Sequence, residues 1–349
     1  MKTSANGRKN KSGNLLSNFT FSNQCMKGFN IERYHDSLRD VWDDFVKRSK
    51  NGTFMLTRKF IGYHGDRFTD ASLLVYKNEK LIAVFPANSS EQTIYSHQGL
   101  SYGGLVLPKQ IKLSDALAAF AVLLKYYADK GFLNLIIKQT PALYHLQPSE
   151  EIQYALFVTK AELYRRDAAI CLRPSSFKPN ENRNRKIKSA NSHHFQIRET
   201  DNMEPFWNEV LIPNLQISHG GTPVHSLQEI QFLKDTFPDH IKQYDIYEGD
   251  KILGGTTLFN TTKTSLAQYI SATTHGKSTD ALSALFAHII QEKSSAFDYF
   301  SFGHSNEDNG RVLNHTLSYW KESFGGSTLT HDFYKINIAN YSILEKLIN

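Results

Sequence analysis

The segment Gly276-Lys277-Ser278-Thr279 stands where a chain can hold an anion. It precedes an apolar helical pattern that starts at Asp280, and a helix start offers unpaired N–H groups and the positive end of a dipole. Glycine there lets a phosphate come close to the backbone, and Lys277 adds a charge. The same residues also read as a Ser/Thr/Asp-capped helix after an ordinary turn, and Asp280 would oppose a phosphate. A second cationic group, Arg183, Arg185, Lys186 and Lys188, lies within Glu181–Ala190. In a helix Arg185 and Lys188 share a face. That face can meet a diphosphate or a tRNA acceptor stem, or simply water. Aromatics do not interleave the run, so stacking on single-stranded bases is not indicated. His97-Gln98-Gly99 and Tyr102-Gly103-Gly104 form a glycine-bearing loop. There His97 and Tyr102 can bind an acceptor, or Tyr102 can be buried under a tight turn. His275 and His304 are candidates for a general base toward an attacking amine. No Ser-His-Asp order, HExxH, CxxC or Walker-type motif is present. Asn306–Gly310 lacks calcium-loop spacing, and no metal is expected.

The elements that must position these residues repeat. FNIERYHDSLRDVWDDFV (Phe29–Val46) answers to FQIRETDNMEPFWNEVL (Phe195–Leu211), with Trp42 against Trp207. Tyr76-x-x-Glu79-Lys80-Leu81 answers to Tyr247-x-x-Asp250-Lys251-Ile252. Ser114-Asp115-Ala116-Leu117 answers to Thr279-Asp280-Ala281-Leu282, and Leu163-Tyr164-Arg165 to Phe333-Tyr334-Lys335. Solenoid repeats have periods of roughly 20–50 residues, so a period this long is a duplicated domain. Each half reads as strand, helix, β-meander, loop, helix and strand. In the first half the spacing predicts a helix over 36–50, strands near 71–76, 81–87 and 93–97, and a Ser114-capped helix ending at Gly131. In the second it predicts strands near 243–247, 252–259 and 266–272, a loop THGKST, and a helix over 280–293. The fold class is therefore α+β (mixed α/β). The expected division is a basic, disordered tail over 1–28, a first domain over 29–175 and a second over 176–349, with the boundary in Pro174–Asn180. A cleft between two such domains is where small molecules tend to bind.

The chain has 349 residues, 40% hydrophobic and 21% charged, with a formal charge of +6. That is ordinary for a globular protein of about two domains. Its two cysteines, Cys25 and Cys171, give neither a disulfide framework nor a metal spacing. No apolar run reaches the ~20 residues of a membrane helix. A cytoplasmic home and no transmembrane segment are the expectation.

The order β-β-β-loop-α-β is the core of the GNAT acyltransferase fold. Three segments carry a resemblance over about residues 29–340: YSHQGLSYGGLVL (Tyr95–Leu107), ENRNRKIKSA (Glu181–Ala190) and YFSFGHSNEDNGRVLNHTLSYWKESFGG (Tyr299–Gly326). With them the chain resembles the double-GNAT proteins related to the Fem-type peptidoglycan aminoacyltransferases. The resemblance implies two tandem GNAT-like domains, the first, with the interdomain cleft, on the acceptor side and the second on the donor side. The acceptor-binding candidates are Tyr102 and His97 of the first and Arg185 of the second, and the donor-binding candidates are Gly276, Lys277, Ser278 and Thr279. It implies N-acyl transfer by direct attack of an amine, from acyl-CoA or from aminoacyl-tRNA, onto a small molecule or cell-envelope precursor. A catalytically inactive pair serving as a binding protein stays open. The coenzyme loop of many GNAT enzymes has two glycines, and Thr274–Ala281 has one. A helical Lys321 after Trp320 has the look of a solvated face, which makes Lys321→Ala a mild surface change. The resemblance instead gives Lys321 a place near the donor channel, to stabilise charge on the attacked carbonyl, with Asn314 adding a hydrogen bond.

Overall fold

The computed structural model describes residues 27–219 and 221–348. The basic tail read over 1–28 lies outside them except for its last two residues. In the first half β1 (Phe29–Arg33) leads into α1 (Arg39–Arg48) and α2 (Arg58–Ile61). Next come β2 (Thr69–Asp70), β3 (Leu73–Lys77), β4 (Lys80–Phe85), β5 (Asn88–Ser90) and β6 (Thr93–Tyr95), then α3 (Leu113–Asp129), β7 (Asn134–Lys138), α4 (Glu151–Val158) and β8 (Glu162–Leu172). The second half runs through α5 (Glu181–Ala190), β9 (Phe195–Thr200), α6 (Ile212–His219), α7 (Leu227–Thr236), β10 (Ile241–Glu248), β11 (Lys251–Asn260) and β12 (Thr264–Ala272). It continues with α8 (Thr274–Ser278), α9 (Ala281–His288), β13 (Tyr299–His304), a small ribbon of β14 (Asn306–Glu307) and β15 (Val312–Leu313), α10 (His315–Glu322), β16 (Ser327–Asn337) and α11 (Tyr341–Ile348).

The periodicities explain most of these elements. Helix α1 buries Trp42, Phe45 and Val46, one stripe at helical spacing. Helix α3 begins at Leu113, with Lys112 rather than Ser114 at its cap, and Gly131 (φ 85°) follows it in the left-handed region. The segment predicted as the loop THGKST is instead a helical turn, α8, because the Thr273 hydroxyl accepts from Gly276 N (3.0 Å) and caps it. The helix predicted over 280–293 is α9, prolonged by a π-helical turn at Ile289–Lys293.

Eleven strands form one sheet, in the order β2-β5-β6-β7-β16-β8-β13-β12-β11-β10-β9, and β1-β3-β4 form a second. Each half has the same parallel junction: β6 with β7 over Thr93–Tyr95, and β12 with β13 over Thr264–Leu266. The closing strand of each half, however, completes the other half. Strand β16 lies between β7 and β8, and β8 pairs with β13. A division at 175/176 therefore cuts across the hydrogen-bonded sheet. The repeat anchors Leu163-Tyr164-Arg165 and Phe333-Tyr334-Lys335 meet along this seam, with Phe333 opposite Arg165 and Tyr334 opposite Leu163.

Three apolar cores follow. One belongs to the first half, where α3 and Leu344 of α11 bury against Leu135 and Ile137 of β7. One belongs to the second half, around Phe286, Phe300, Phe302 and Phe324. The third joins the halves and contains both Trp42 and Trp207, with Phe54 tilted against Phe237 (5.4 Å) and Phe259 (5.8 Å). Among the described residues no helix is long and apolar enough to cross a membrane.

Candidate active site

Parallel strands that pair for only three residues must then diverge. Beyond Leu266 and Ser301, β12 follows β11 while β13 follows β8. A cavity of about 430 Å³ fills the opening, lined on one side by Leu266–Gln268, Ile270 and Ser301–His304. Its other wall comes from the first half: Leu100–Tyr102, Lys138, Leu143, Tyr144, Arg165 and Asp167. Leu329, His331 and Phe333 of the exchanged strand β16 complete the floor.

Lys321 reaches this cavity from α10. Its Nζ donates to the carbonyls of Gly303 (3.2 Å) and His304 (2.6 Å). Gly303 makes that arrangement available. Its φ of 70° lies in the left-handed region, and the β13–β8 register shifts between Ser301 and His304, so the strand bulges there. Lys321 is 4% exposed, and no carboxylate pairs it among the described residues. Burial pushes its ammonium down to about 8. An ammonium has three N–H bonds, so two carbonyls leave one for a ligand. The solvated face read from the sequence is thus incorrect: α10 presents Lys321 inward, alongside Ser318.

Asn314 sits at the foot of the same helix and not in the cavity lining. Its Oδ1 caps Leu317 N (3.0 Å) and its Nδ2 donates to Glu307 (2.9 Å), so it positions the helix that carries Lys321. Tyr102 lines the cavity, 2% exposed, with its hydroxyl on Thr53 Oγ1 (3.1 Å) and its ring on Tyr144 (4.6 Å). His304 stands exposed at the rim. His97 lies outside the lining; its ring packs between His64 (4.9 Å) and Phe68 (5.1 Å), and burial pushes it down to about 3.

The remaining residues singled out by the sequence lie away from the cavity lining. His275 is engaged with Glu248 (2.8 Å). Gly276 N is capped by Thr273, Lys277 N donates to Thr273 O (2.9 Å) and Thr279 N to His275 O (3.0 Å). The Ser278 and Thr279 hydroxyls both donate to His275 O (2.9 Å each), and Lys277 Nζ to Asn214 Oδ1 (3.1 Å). A Cβ on Gly276 would stand 2.1 Å from Leu253 O, so this glycine lets α8 pack on β11. The N–H groups of Gly276, Lys277 and Thr279 are thus already bonded within the turn and do not point free to a pyrophosphate. The basic helix divides: Arg183 is buried over the Phe324 ring (4.4 Å) and bonded to Ser323 (2.9 Å), and Lys186 pairs with Asp280 (2.8 Å). Arg185 and Lys188 remain exposed.

Sequence reading missed Lys138, Arg165 and His331. Arg165 grips both oxygens of buried Asp167 (3.0 and 2.7 Å). His331 Nε2 is buried without a protein partner, and burial pushes the ring down to about 4, so it stays neutral. Alternation along β16 carried a signal, since His331 and Phe333 share a face. The neighbours of that face belong to the other half of the chain.

No family model matches the sequence, and no curated protein matches it. Solved structures do match in fold. FemX superposes with a TM-score of 0.62 at 11% identity, covering 90% of this chain and 100% of that one. A conserved protein of unknown function from Bacteroides thetaiotaomicron gives 0.55 at 10% identity over 88% and 99%. L-PGS from Bacillus licheniformis gives 0.53 at 11% over 88% and 96%. The protein therefore shares the fold of FemX and L-PGS, a mixed α/β architecture.

Proposed function

We propose that this protein is an acyltransferase, in which an amine held in the cavity attacks the carbonyl of an activated acyl or aminoacyl group. The observation that carries the reading is Lys321, a buried cation held by two backbone carbonyls in the opening between β12 and β13. A carboxylate partner would neutralise it, whereas carbonyls orient it and leave its charge for a ligand. As the amine nitrogen bonds to the carbonyl carbon, negative charge grows on the oxygen, and a fixed ammonium in a dry site stabilises that charge. The C–O or C–S bond to the leaving group then breaks, and the amine proton passes to a base. His304 at the rim and neutral His331 on the floor are placed to take it.

The donor reading leans toward an aminoacyl ester of tRNA over a coenzyme A thioester. The turn before α9 has its N–H groups occupied, while exposed Arg185 and Lys188 offer cations to a phosphate backbone. The acceptor is a small amine or a cell-envelope precursor, met in the cytoplasm. The test is a transfer assay with acetyl-CoA and with a mixed charged-tRNA pool, against a panel of amines. Amide formation that depends on Lys321 supports the reading. Binding of amines without transfer from either donor class would leave an inactive binding pair.

A further inference from the structure

The end of the cavity opposite Lys321 has its own cations. Strands β7, β16 and β8 lie side by side, and Phe333 pairs with Lys138 on one edge and with Arg165 on the other. Residues directly opposite one another in antiparallel strands point to one face. Lys138, Phe333 and Arg165 thus form a single row on the cavity floor, with the guanidinium 4.4 Å above the phenyl ring. Two residues along, His331 pairs with Asp167; two further, Leu329 pairs with Ala169, which pairs with His304. That last row carries one of the carbonyls holding Lys321.

The charges of this floor do not balance. Lys138, Arg165 and Lys321 line the cavity with one carboxylate, Asp167, and Arg165 occupies both its oxygens. Lys138 Nζ donates to Gln98 O and Leu100 O, both at 2.8 Å. As with Lys321, two carbonyls hold the ammonium and leave one N–H free. Burial, with Arg165 nearby, pushes Lys138 down to about 8. Keeping such a cation half-buried without a counter-charge costs stability, and a ligand anion would relieve that cost.

We propose that Lys138, with the Arg165 guanidinium beside it, anchors a carboxylate or phosphate carried by the acceptor at a distance from its reacting amine. This rests on the reading that the amine reacts at the Lys321 end. From the Phe333 row to the Leu329 row is four residues of strand, ~13 Å. The acceptor is then an amine joined through several bonds to its anion, as in a short peptide or an amino-bearing phosphate ester, and not an amine adjoining its own carboxylate.

The experiment is calorimetric binding to the full chain without donor, using two matched pairs. Trialanine is compared with trialanine amide, and 6-aminohexyl phosphate with 6-aminohexanol. In at least one pair the anionic member should bind about 10–100-fold more tightly, the effect of one charge-assisted hydrogen bond. Preference in the first pair alone marks a peptide carboxylate, and in the second alone a phosphate ester. The preference should vanish in Lys138→Met and persist in Lys138→Arg. Equal binding within both pairs, no binding by any probe, or a preference that survives Lys138→Met overturns the proposal. The wild-type comparison needs no variant, so a loosened Gln98–Leu100 loop in Lys138→Met does not decide it. Loss of this preference while transfer still depends on Lys321 removes the subsite and leaves the acyltransferase reading. A clear preference without transfer from either donor class does the reverse.

Discussion

Replacing Lys321 with methionine removes the charge while keeping the length and bulk of the side chain. Two effects on stability oppose one another. Burial lowers the ammonium from 10.5 to about 8, and at 1.36 kcal/mol per unit the charge costs on the order of 3 kcal/mol at neutral pH, which methionine relieves. Methionine also loses the bonds to Gly303 O and His304 O, at roughly 1.5–3 kcal/mol each for a charged donor. The net is a loss between about 0 and 3 kcal/mol, a fall in melting temperature of several degrees at most. The rate should fall far more. Removing one preorganised stabiliser of transition-state charge typically costs about 10²–10³ in kcat, with KM little changed. The assay is steady-state transfer against pH with wild type, Lys321→Met and Lys321→Arg. Wild-type kcat should decline as pH rises through about 8, where the ammonium loses its proton; Lys321→Arg should move that decline upward, and Lys321→Met should abolish it. A folded Lys321→Met enzyme at full kcat across the range would refute the reasoning. Stability tests the same charge independently. Between pH 8 and 10.5 the unfolded lysine holds a proton that the folded one has lost, so the wild type should gain stability there relative to Lys321→Met.

Gly276→Val should destabilise the protein without any donor present, by about 1–3 kcal/mol or more, because its Cβ would stand 2.1 Å from the Leu253 carbonyl; an unchanged melting temperature would contradict the packing role. Residues 29–175 expressed alone should fail to fold, since β16 is missing from between β7 and β8, and co-expression with 176–349 should rescue them. Circular dichroism and amide exchange decide this, and a stable isolated half would show the exchange to be dispensable. Acid should destabilise the protein between pH 7 and 5, although Asp245, pushed up to about 6 by burial, takes a proton in the same window and offsets part of the loss. Burial holds His145, His225 and His331 near 4 and His97 near 3, while unfolded histidines take protons near 6.5. The unfolded state therefore binds more protons in that window, and stability present above pH 6.5 is lost as pH falls toward 4. Urea midpoints at pH 7 and pH 5 check it, and equal midpoints would count against it.

Much of this was legible in local pattern. The period-two runs became β10, β11 and β12, the apolar stripe with Trp42 became α1, and the repeat anchors fell on equivalent elements. The segment THGKST reads in sequence both as a ligand loop and as a Ser/Thr/Asp-capped helix after a turn, and the hydroxyl that caps it belongs to Thr273, the residue just before it, accepting from Gly276 N. In sequence Lys321 has the look of a solvated lysine, yet it is buried in the cavity lining. A lysine in a sequence carries no mark of burial, and what buries it is a bulge at Gly303 in another element.

The sequence by itself determined the units, for helix and strand periodicity, caps and turns depend on neighbours within about four residues, and duplication is visible wherever those patterns recur. Only the tertiary structure decided how the units close. Strand β16 inserts into the first half across nearly two hundred residues of chain, and that exchange aligns Lys138, Phe333 and Arg165 in one row. Hydrogen bonds of a ladder are alike for every strand, so their partners are chosen by which apolar faces bury together, a property of the whole chain that no short stretch of it contains.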